Sequence, residues 1–559
     1  MGHIYNVGEA REGEVIQELF KSDRFILPLR NGELVPSKPI LFHWIAAGLI
    51  KVLHGPTSVD LFSLRLTSGL AGILTVITVF FMTRVAGGNR AALLAALLCL
   101  TTQGFVATAW EGRVDCLFNS LVTLTVAIWL IAAIKHRNDD PSSIPSWVFH
   151  ASAITCGLAA LTKGPLAFVH TGSIIGAIAY SQWRTRGLVS LIRWQWIWAL
   201  LIPLPWYIAA VFQGGDGFVS RQFIYENLRR FSGGAGISKR PFGFYIPALF
   251  SHCGPWSVPF FIMLASFIRL KERRVFSEKD SATWFAIRAG ILWFVIPFVF
   301  LNIAAGKHFA YLSPLLPGMC MAVAVWCTHV VSWPATSKIL EKLLPVIVGV
   351  AVVLAPIVIA FAPSLALLNK GASLAFLSIP EALDGYGALF MVLHTLFGGL
   401  AIYLVFTRSQ RRGVFNQYAP PLIMAALVLI CIDQRLARAI RGVTHSYNEF
   451  AATLSRHVSP DTRVNLVLAT GTDKLLGVGR DDSFDPILYY MNRHFTMRSN
   501  EEVWTEPGLY LARRSWIERQ SPEWRSLPRE ILEGGKRSDR GPDRLVLFEI
   551  ASPRSPENG

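Results

Sequence analysis

Acidic, basic and aromatic residues recur together in short stretches that interrupt the long apolar runs of this sequence. The first holds Gly8-Glu9-Ala10-Arg11-Glu12, and the second runs from Leu34-Val35-Pro36-Ser37-Lys38-Pro39 into Phe42-His43-Trp44. Further along stand Trp110-Glu111-Gly112-Arg113-Val114-Asp115, Thr162-Lys163-Gly164-Pro165, Phe223 to Phe231 with Tyr225, Arg229 and Arg230, and Lys307-His308-Phe309-Ala310-Tyr311. Cations in such company stabilise the negative charge that develops as a sugar–phosphate bond breaks. Lys38, Lys163, Arg229, Arg230 and Lys307 suit that task. A carboxylate, Glu9 or Asp115, could take the proton from an incoming hydroxyl. Phe42, Trp44, Tyr225 and Phe231 could line the path of a prenyl chain or the face of a sugar.

Each residue also has a plainer reading. Glu9, Arg11 and Glu12 lie on an amphipathic helix, where charges usually form a solvated face. Arg113 and Asp115 could cap helices and pair with each other, and Lys163 and Lys307 could extend to lipid headgroups. His308 reads by itself as an interface residue. With no HxH, HExxH or DxD pair, the sequence specifies no metal ligand set, and a divalent cation is the one cofactor left open.

The elements that must position these residues are membrane helices. A chain of 559 residues that is 52% hydrophobic and 16% charged, with a mean hydropathy of +0.42, is too apolar for a soluble globule of its size. About twelve apolar stretches suit a bilayer core. They are Arg65 to Ala86, Ala91 to Ala109, Cys116 to Ile134, Trp147 to Leu161, Pro165 to Gln182, Gln195 to Phe212, Tyr245 to Phe267, Ala289 to Ala304, Phe309 to Val331, Leu343 to Phe361, Tyr386 to Phe406 and Pro420 to Ile432. The net charge of +16 reflects basic residues between these runs, a topology signal before it is a nucleic-acid signal. Alternate threading puts Arg84/Arg90, Lys135/Arg137, Arg184/Arg186/Arg193, Arg269 to Arg274, Lys338/Lys342 and Arg408/Arg411/Arg412 on the cytoplasmic side. The ionisable constellation then lies on the outer, periplasmic face. All seven cysteines lie within or beside apolar runs and read as packing residues.

Residues 1–435 thus read as a polytopic membrane all-α domain, and 445–559 as a small periplasmic α/β domain. In the latter Val464 to Ala469, Gly508 to Ala512 and Leu545 to Ile550 read as strands, and Tyr447 to His457 and Asp485 to His494 as helices.

The order of motifs resembles the GT-C membrane glycosyltransferases, specifically the protein O-mannosyltransferase and aminoarabinose-lipid A transferase group. Gly8-Glu9-Ala10-Arg11 stands where that group has an Asp-Glu-Ala-Arg-like helix, and Ser37-Lys38-Pro39-Ile40 where it has Glu-Lys-Pro-Pro. Arg113-Val114-Asp115, Thr162-Lys163-Gly164-Pro165, Glu226-Asn227 to Phe231, Arg240 to Tyr245 before Gly254-Pro255-Trp256-Ser257, and Lys307-His308 to Tyr311 complete the set over residues 8 to 320. The resemblance implies a polyprenyl-phosphate-linked sugar donor, a lipid, glycan or protein acceptor, transfer on the outer face of the inner membrane, and inversion at the anomeric carbon. It places Lys38 at the donor phosphate and Arg113 and Asp115 in the pocket. Arg11, Lys163, Tyr225, Arg229, Arg230, Lys307, His308 and Tyr311 join the substrate-binding set.

The departures shape the expectations. Gly8 replaces the Asp that often serves as base, leaving Glu9 or Asp115, and Ser37 replaces a donor-site Glu. The group's usual first transmembrane helix has no counterpart before Glu9, so the expectation is either that the stretch from Lys38 to Leu53 helps insertion or that the sequence begins late and lacks that helix. Two other functions compete: a transporter or flippase of lipid-linked glycans, which should show internal repeats and charges at mid-membrane, and a non-enzymatic assembly protein.

Overall fold

A computed structural model describes residues 4, 6–22, 24–55, 59–232, 240–254, 256–269, 282–329, 446–467, 484–498, 502–520, 528–536, 539 and 541–551. Before the first spanning helix, α1 (Val7–Lys21) and α2 (Leu41–His54) form a head over the bundle. The bundle follows as α3 (Leu61–Leu100), α4 (Gln103–Trp110), α5 (Val114–Lys135), α6 (Ser146–Lys163), α7 (Leu166–Trp183), α8 (Thr185–Ser190), α9 (Ile197–Leu201), α10 (Leu204–Val219), α11 (Arg230–Ser232), α12 (Tyr245–His252), α13 (Ser257–Arg269), α14 (Ala282–Ile303) and α15 (Leu316–His329). A π-helical stretch, Ser220–Arg229, extends α10, and a 3-10 turn, Phe309–Leu315, leads into α15.

Five helical stretches among the described residues are long and apolar enough to cross a bilayer: Leu61–Leu100, Val114–Lys135, Trp194–Arg229, Ala282–Ile303 and Phe309–His329. Helices α6 and α7, separated by Gly164 and Pro165, match the expected pair from Trp147 and Pro165. The expected spans from Leu343, Tyr386 and Pro420 lie outside the described residues, as does Cys431.

Glycines and threonines set the breaks. Gly88 adopts φ 69° inside α3, a left-handed conformation open to glycine, and divides that helix near the expected boundary between its first two spans. The second half stops earlier than the sequence suggested. Thr101 and Thr102 donate their hydroxyls back to the carbonyls of Leu97 and Leu98, and Trp256 donates to Thr101 Oγ1 at 2.8 Å. The chain restarts as α4, with the Gln103 amide on the Gly254 carbonyl.

Small residues let the helices touch. A Cβ at Gly290 in α14 would lie 2.4 Å from the Gly318 carbonyl oxygen and 2.8 Å from Ala322 Cβ, both in α15. In lipid such close backbone approach replaces the hydrophobic drive that water would supply. Gly290→Leu is expected to cost about 1–3 kcal/mol through overpacking, read as a lower unfolding temperature in detergent. An unchanged midpoint would contradict this crossing.

The C-terminal domain folds a mixed sheet in the order β2-β1-β3-β5-β4, from β1 (Val464–Val467), β2 (Thr496–Arg498), β3 (Gly508–Arg513), β4 (Arg529–Gly534) and β5 (Leu545–Ile550). Strands β1, β2 and β3 run parallel, while β5 pairs antiparallel with β3 and β4. Helices α16 (Asn448–His457) and α17 (Phe484–Met491) cover one face, where Phe450, Leu454, Ile487 and Leu488 meet Leu466, Leu511 and Leu547. The two shorter helices are α18 (Glu502–Thr505) and α19 (Arg514–Glu518).

Candidate active site

Asp115 opens α5 at the head of the bundle. Its carboxylate is buried and accepts from Lys163 Nζ at 2.5 Å through Oδ1, while Arg113 Nη2 stands 3.2 Å from Oδ2. Lys163 closes α6, so the antiparallel packing of α5 and α6 joins residues from two separate motifs. Its ammonium also lies over two rings, 4.9 Å from the centroid of Tyr311 and 5.2 Å from that of Phe118. Lys163 is 8% exposed at the side chain, so it is a buried ion-pair partner and not a headgroup-seeking lysine. Burial opposes the charge of Arg113, yet Asp115 and Glu111 together hold its guanidinium above the ordinary value.

A second acid–base cluster stands on the loop before α2 and the π-helical stretch. Lys38 Nζ meets Glu226 Oε2 at 2.6 Å, and Arg221 Nη2 lies 3.3 Å from Glu226 Oε1. The Arg221 guanidinium covers the Tyr225 ring at 4.9 Å, and Gln222 ties the stretch to the Pro36 carbonyl. The two clusters share a wall. Val35 and Ile40, which flank Lys38, pack with Leu161, two residues before Lys163.

Glu9 is a strut behind the first set, bonded to Arg65 and to the amide next to Arg113. Its carboxylate accepts from Arg65 Nε at 2.7 Å, from Arg65 Nη2 at 2.9 Å and from the Gly112 amide at 2.9 Å. That bidentate pair pins α1 to α3 and to the turn that presents Arg113 and Asp115. Asn6 caps α1 through the Gly8 amide and donates to Glu111 at 2.9 Å. Gly8 lets the helix end abut the site, since a Cβ there would stand 2.8 Å from Arg113 Nε, a buried atom without a partner.

The expected solvated face of α1 is corrected: Glu9, Glu12, Glu14 and Glu18 are all buried, because the helix lies between the bundle and the C-terminal domain. Arg11 faces that domain and donates to Asp485 at 2.6 Å, away from Asp115. Phe42 is core, packed with Leu64, Val114 and Phe118, and lines no path. Trp44 is partly exposed and donates to the Phe25 carbonyl.

The remaining candidates spread along the rim. His308 is exposed and shares two hydrogen bonds with Tyr245, its amide donating at 3.1 Å and its carbonyl accepting at 3.2 Å. Its ring lies 5.8 Å from that of Tyr311. Lys307 donates to the Ala304 carbonyl and at 3.4 Å to that of Arg240, finishing α14 rather than joining Asp115. Arg229 is exposed at the end of the π-helical stretch, and the Arg230 side chain lies outside the described residues.

Sequence reasoning missed Glu226, Arg221 and Arg65 as the partners of Lys38 and Glu9. It also missed the buried pair Glu12 and His43, 2.6 Å apart. An arginine inside an apolar run, as at Arg65, was the available signal. Among the described residues no group of three His, Cys, Asp or Glu side chains could hold a metal ion.

At the far end of α5 stands a different set. Gln182 donates to the Arg137 carbonyl and accepts from Arg288, tying together the ends of α5, α7 and α14, and Arg193 donates to the Ser142 carbonyl in the turn after α5. The 22 residues of α5 separate it from Asp115 by about 33 Å at 1.5 Å per residue.

Residues 37–212 match the family model described as dolichyl-phosphate-mannose-protein mannosyltransferase. An undecaprenyl phosphate-alpha-4-amino-4-deoxy-L-arabinose arabinosyl transferase of Pseudomonas fluorescens is 28% identical over 318 residues, covering 55% of this chain and 51% of the relative. That of Shewanella sediminis is 25% identical over 327 residues, covering 57% and 55%. The chain thus spans about half the length of the curated relatives it matches. The crystal structure of ArnT from Cupriavidus metallidurans bound to undecaprenyl phosphate superposes with a TM-score of 0.70 at 16% identity, over 99% of this chain and 96% of that one, a likeness of fold. The ordered motifs, the matched family segment and the shared fold agree, and the chain is similar to the GT-C membrane glycosyltransferases of the protein O-mannosyltransferase and aminoarabinose-lipid A transferase group.

Proposed function

We propose that this protein transfers a sugar from a polyprenyl-phosphate donor to an acceptor hydroxyl or oxyanion at the extracytoplasmic face of the inner membrane, with inversion. The observation that carries the proposal is the buried Asp115, held between Lys163 and Arg113 beside the Lys38 loop. The named relatives that use undecaprenyl phosphate-linked aminoarabinose support the donor class. The arginine-rich far end of α5, taken as cytoplasmic by the positive-inside rule, supports the orientation. An architecture of about twelve spans, with the C-terminal domain outside, belongs to the same proposal.

In the reaction the acceptor oxygen attacks the anomeric carbon from the face opposite the phosphate. The C–O bond to phosphate breaks, and its electron pair leaves with the polyprenyl phosphate. Lys38, Arg221 and Lys163 neutralise that charge. As the phosphate draws Lys163, Asp115 is released from its tightest partner and accepts the proton of a hydroxyl acceptor. The rings of Tyr311 and Tyr225 hold the cations in place from beneath.

The test is to incubate the purified full chain with a panel of polyprenyl-phosphate sugars and measure release of polyprenyl phosphate. Release dependent on acceptor is expected. Release from none of the donors, with lipid-linked glycan instead crossing vesicles, would favour a flippase. Lys38→Met removes one charge-assisted contact to the donor phosphate, worth about 2 kcal/mol. Donor KM should therefore rise roughly 30-fold, and an unchanged KM would remove Lys38 from the donor site.

A further inference from the structure

We infer that the C-terminal domain is a positioning element of the active site, and that Asp485 is the positioning residue through which it acts. Its catalytic consequence rests on the transferase reading above, while its structural consequence does not.

Asp485 opens α17 and is fully buried. One carboxylate oxygen accepts from Arg11 Nε at 2.6 Å and the other from Arg30 Nη2 at 2.7 Å, and Arg30 reaches Glu14 at 3.1 Å. Burial pulls the Arg30 guanidinium below its ordinary value, against the attraction of Glu14. Asp485 meets these two guanidinium partners only when the domain is seated, and breaking such a buried set is costly. Around them lie further polar contacts of the same interface. Gln17 donates to the Tyr489 carbonyl, and Asn31 both donates to the Phe495 carbonyl and accepts from its amide. Tyr489 donates to the Val59 carbonyl and His494 meets Glu18 at 2.8 Å. Close seating depends on Gly13, where a Cβ would lie 2.5 Å from the Tyr489 ring.

Helix α1 carries this seating to the site. At 100° per residue, Arg11, Glu14 and Glu18 occupy one side, and Glu9, Glu12 and Ile16 the opposite side. The second side holds Arg65 and the Gly112 amide through Glu9, His43 through Glu12, and the bundle core through Ile16. The Gly112 turn leads directly to Arg113 and Asp115. A fully buried carboxylate on the soluble domain is thus joined to the reacting carboxylate through a single rigid helix, without itself touching substrate.

The experiment is hydrogen exchange on the full chain, compared among wild type, Asp485→Asn, Gly13→Ala and, as a control on the far edge of the sheet, Arg514→Ala. Gly13→Ala should strengthen an isolated helix, so any loosening it causes reports the clash with Tyr489. Faster exchange is expected in α1 and across residues 110–116 for the first two variants, with the control matching wild type. The kcat of each should fall about 100-fold through misplacement of the reacting groups, with donor KM within roughly threefold, and Asp485→Glu should recover part of the loss. Faster exchange confined to residues 484–498, or an unchanged kcat, would overturn the inference. If wild type transfers sugar from no donor, the transferase reading fails by itself, and the exchange pattern still decides whether the clamp exists.

Discussion

Asp115→Asn should lower sugar transfer about 1000-fold in kcat, within the range lost when a positioned general base is removed. The substitution keeps an oxygen for Lys163 Nζ, now 2.5 Å from Oδ1, and keeps the shape of the α5 start. What it removes is the capacity to accept a proton and the charge that balances Lys163 and Arg113. Donor binding should change little or tighten, because two cations released from a carboxylate are freer to meet phosphate. Steady-state kinetics with saturating acceptor check this. A variant that turned over at the wild-type rate would show that the proton goes elsewhere, as it would for an acceptor whose attacking oxygen is already an anion.

Glu9→Gln should fail in the opposite way, losing stability before chemistry. Its carboxylate is 1% exposed and makes a bidentate contact with Arg65 as well as a bond to the Gly112 amide. Removing one member of a buried ion pair costs about 3–5 kcal/mol, because the other charge remains desolvated. Thermal or denaturant unfolding in detergent should show a cost of that order for Glu9→Gln. Its kcat per folded molecule should stay well above that of Asp115→Asn. If Glu9→Gln folded as stably as wild type and had no activity, the roles of the two carboxylates would have to be exchanged.

The contrast between those residues illustrates what the sequence could and could not convey. Apolar length and the breaks at Gly88 and at Gly164-Pro165 made α3, α5, α6 and α7 readable, because bilayer thickness and backbone geometry act locally, whereas the break before α4 was not. The α/β character of the C-terminal domain was also legible, whereas β2, three residues long, and the charged edge strand β4 were not. Arg113, Asp115, Lys163 and Tyr311 were named together, and the structure brings them together. The charges of α1 were misread because a helix dense in Glu and Arg looks solvated when its partner is unknown. That partner, Asp485, lies 474 residues from Arg11 in the chain, and Glu226 lies 188 residues from Lys38. Pairings of that span are fixed by tertiary packing, which leaves no periodic trace. Lys307 and Arg11 were drawn into the site by proximity of motif, while their side chains serve a helix end and a domain interface.

A donor phosphate is expected to be received among Lys38, Arg221 and Lys163, beside Asp115. A structure of the full chain with polyprenyl phosphate bound tests it most directly. Phosphate oxygens should lie within about 3 Å of Lys38 Nζ and Lys163 Nζ, with Lys163 turned away from Asp115 toward the phosphate. A phosphate held elsewhere on the bundle, with the Lys163 and Asp115 pair still closed, would contradict the account.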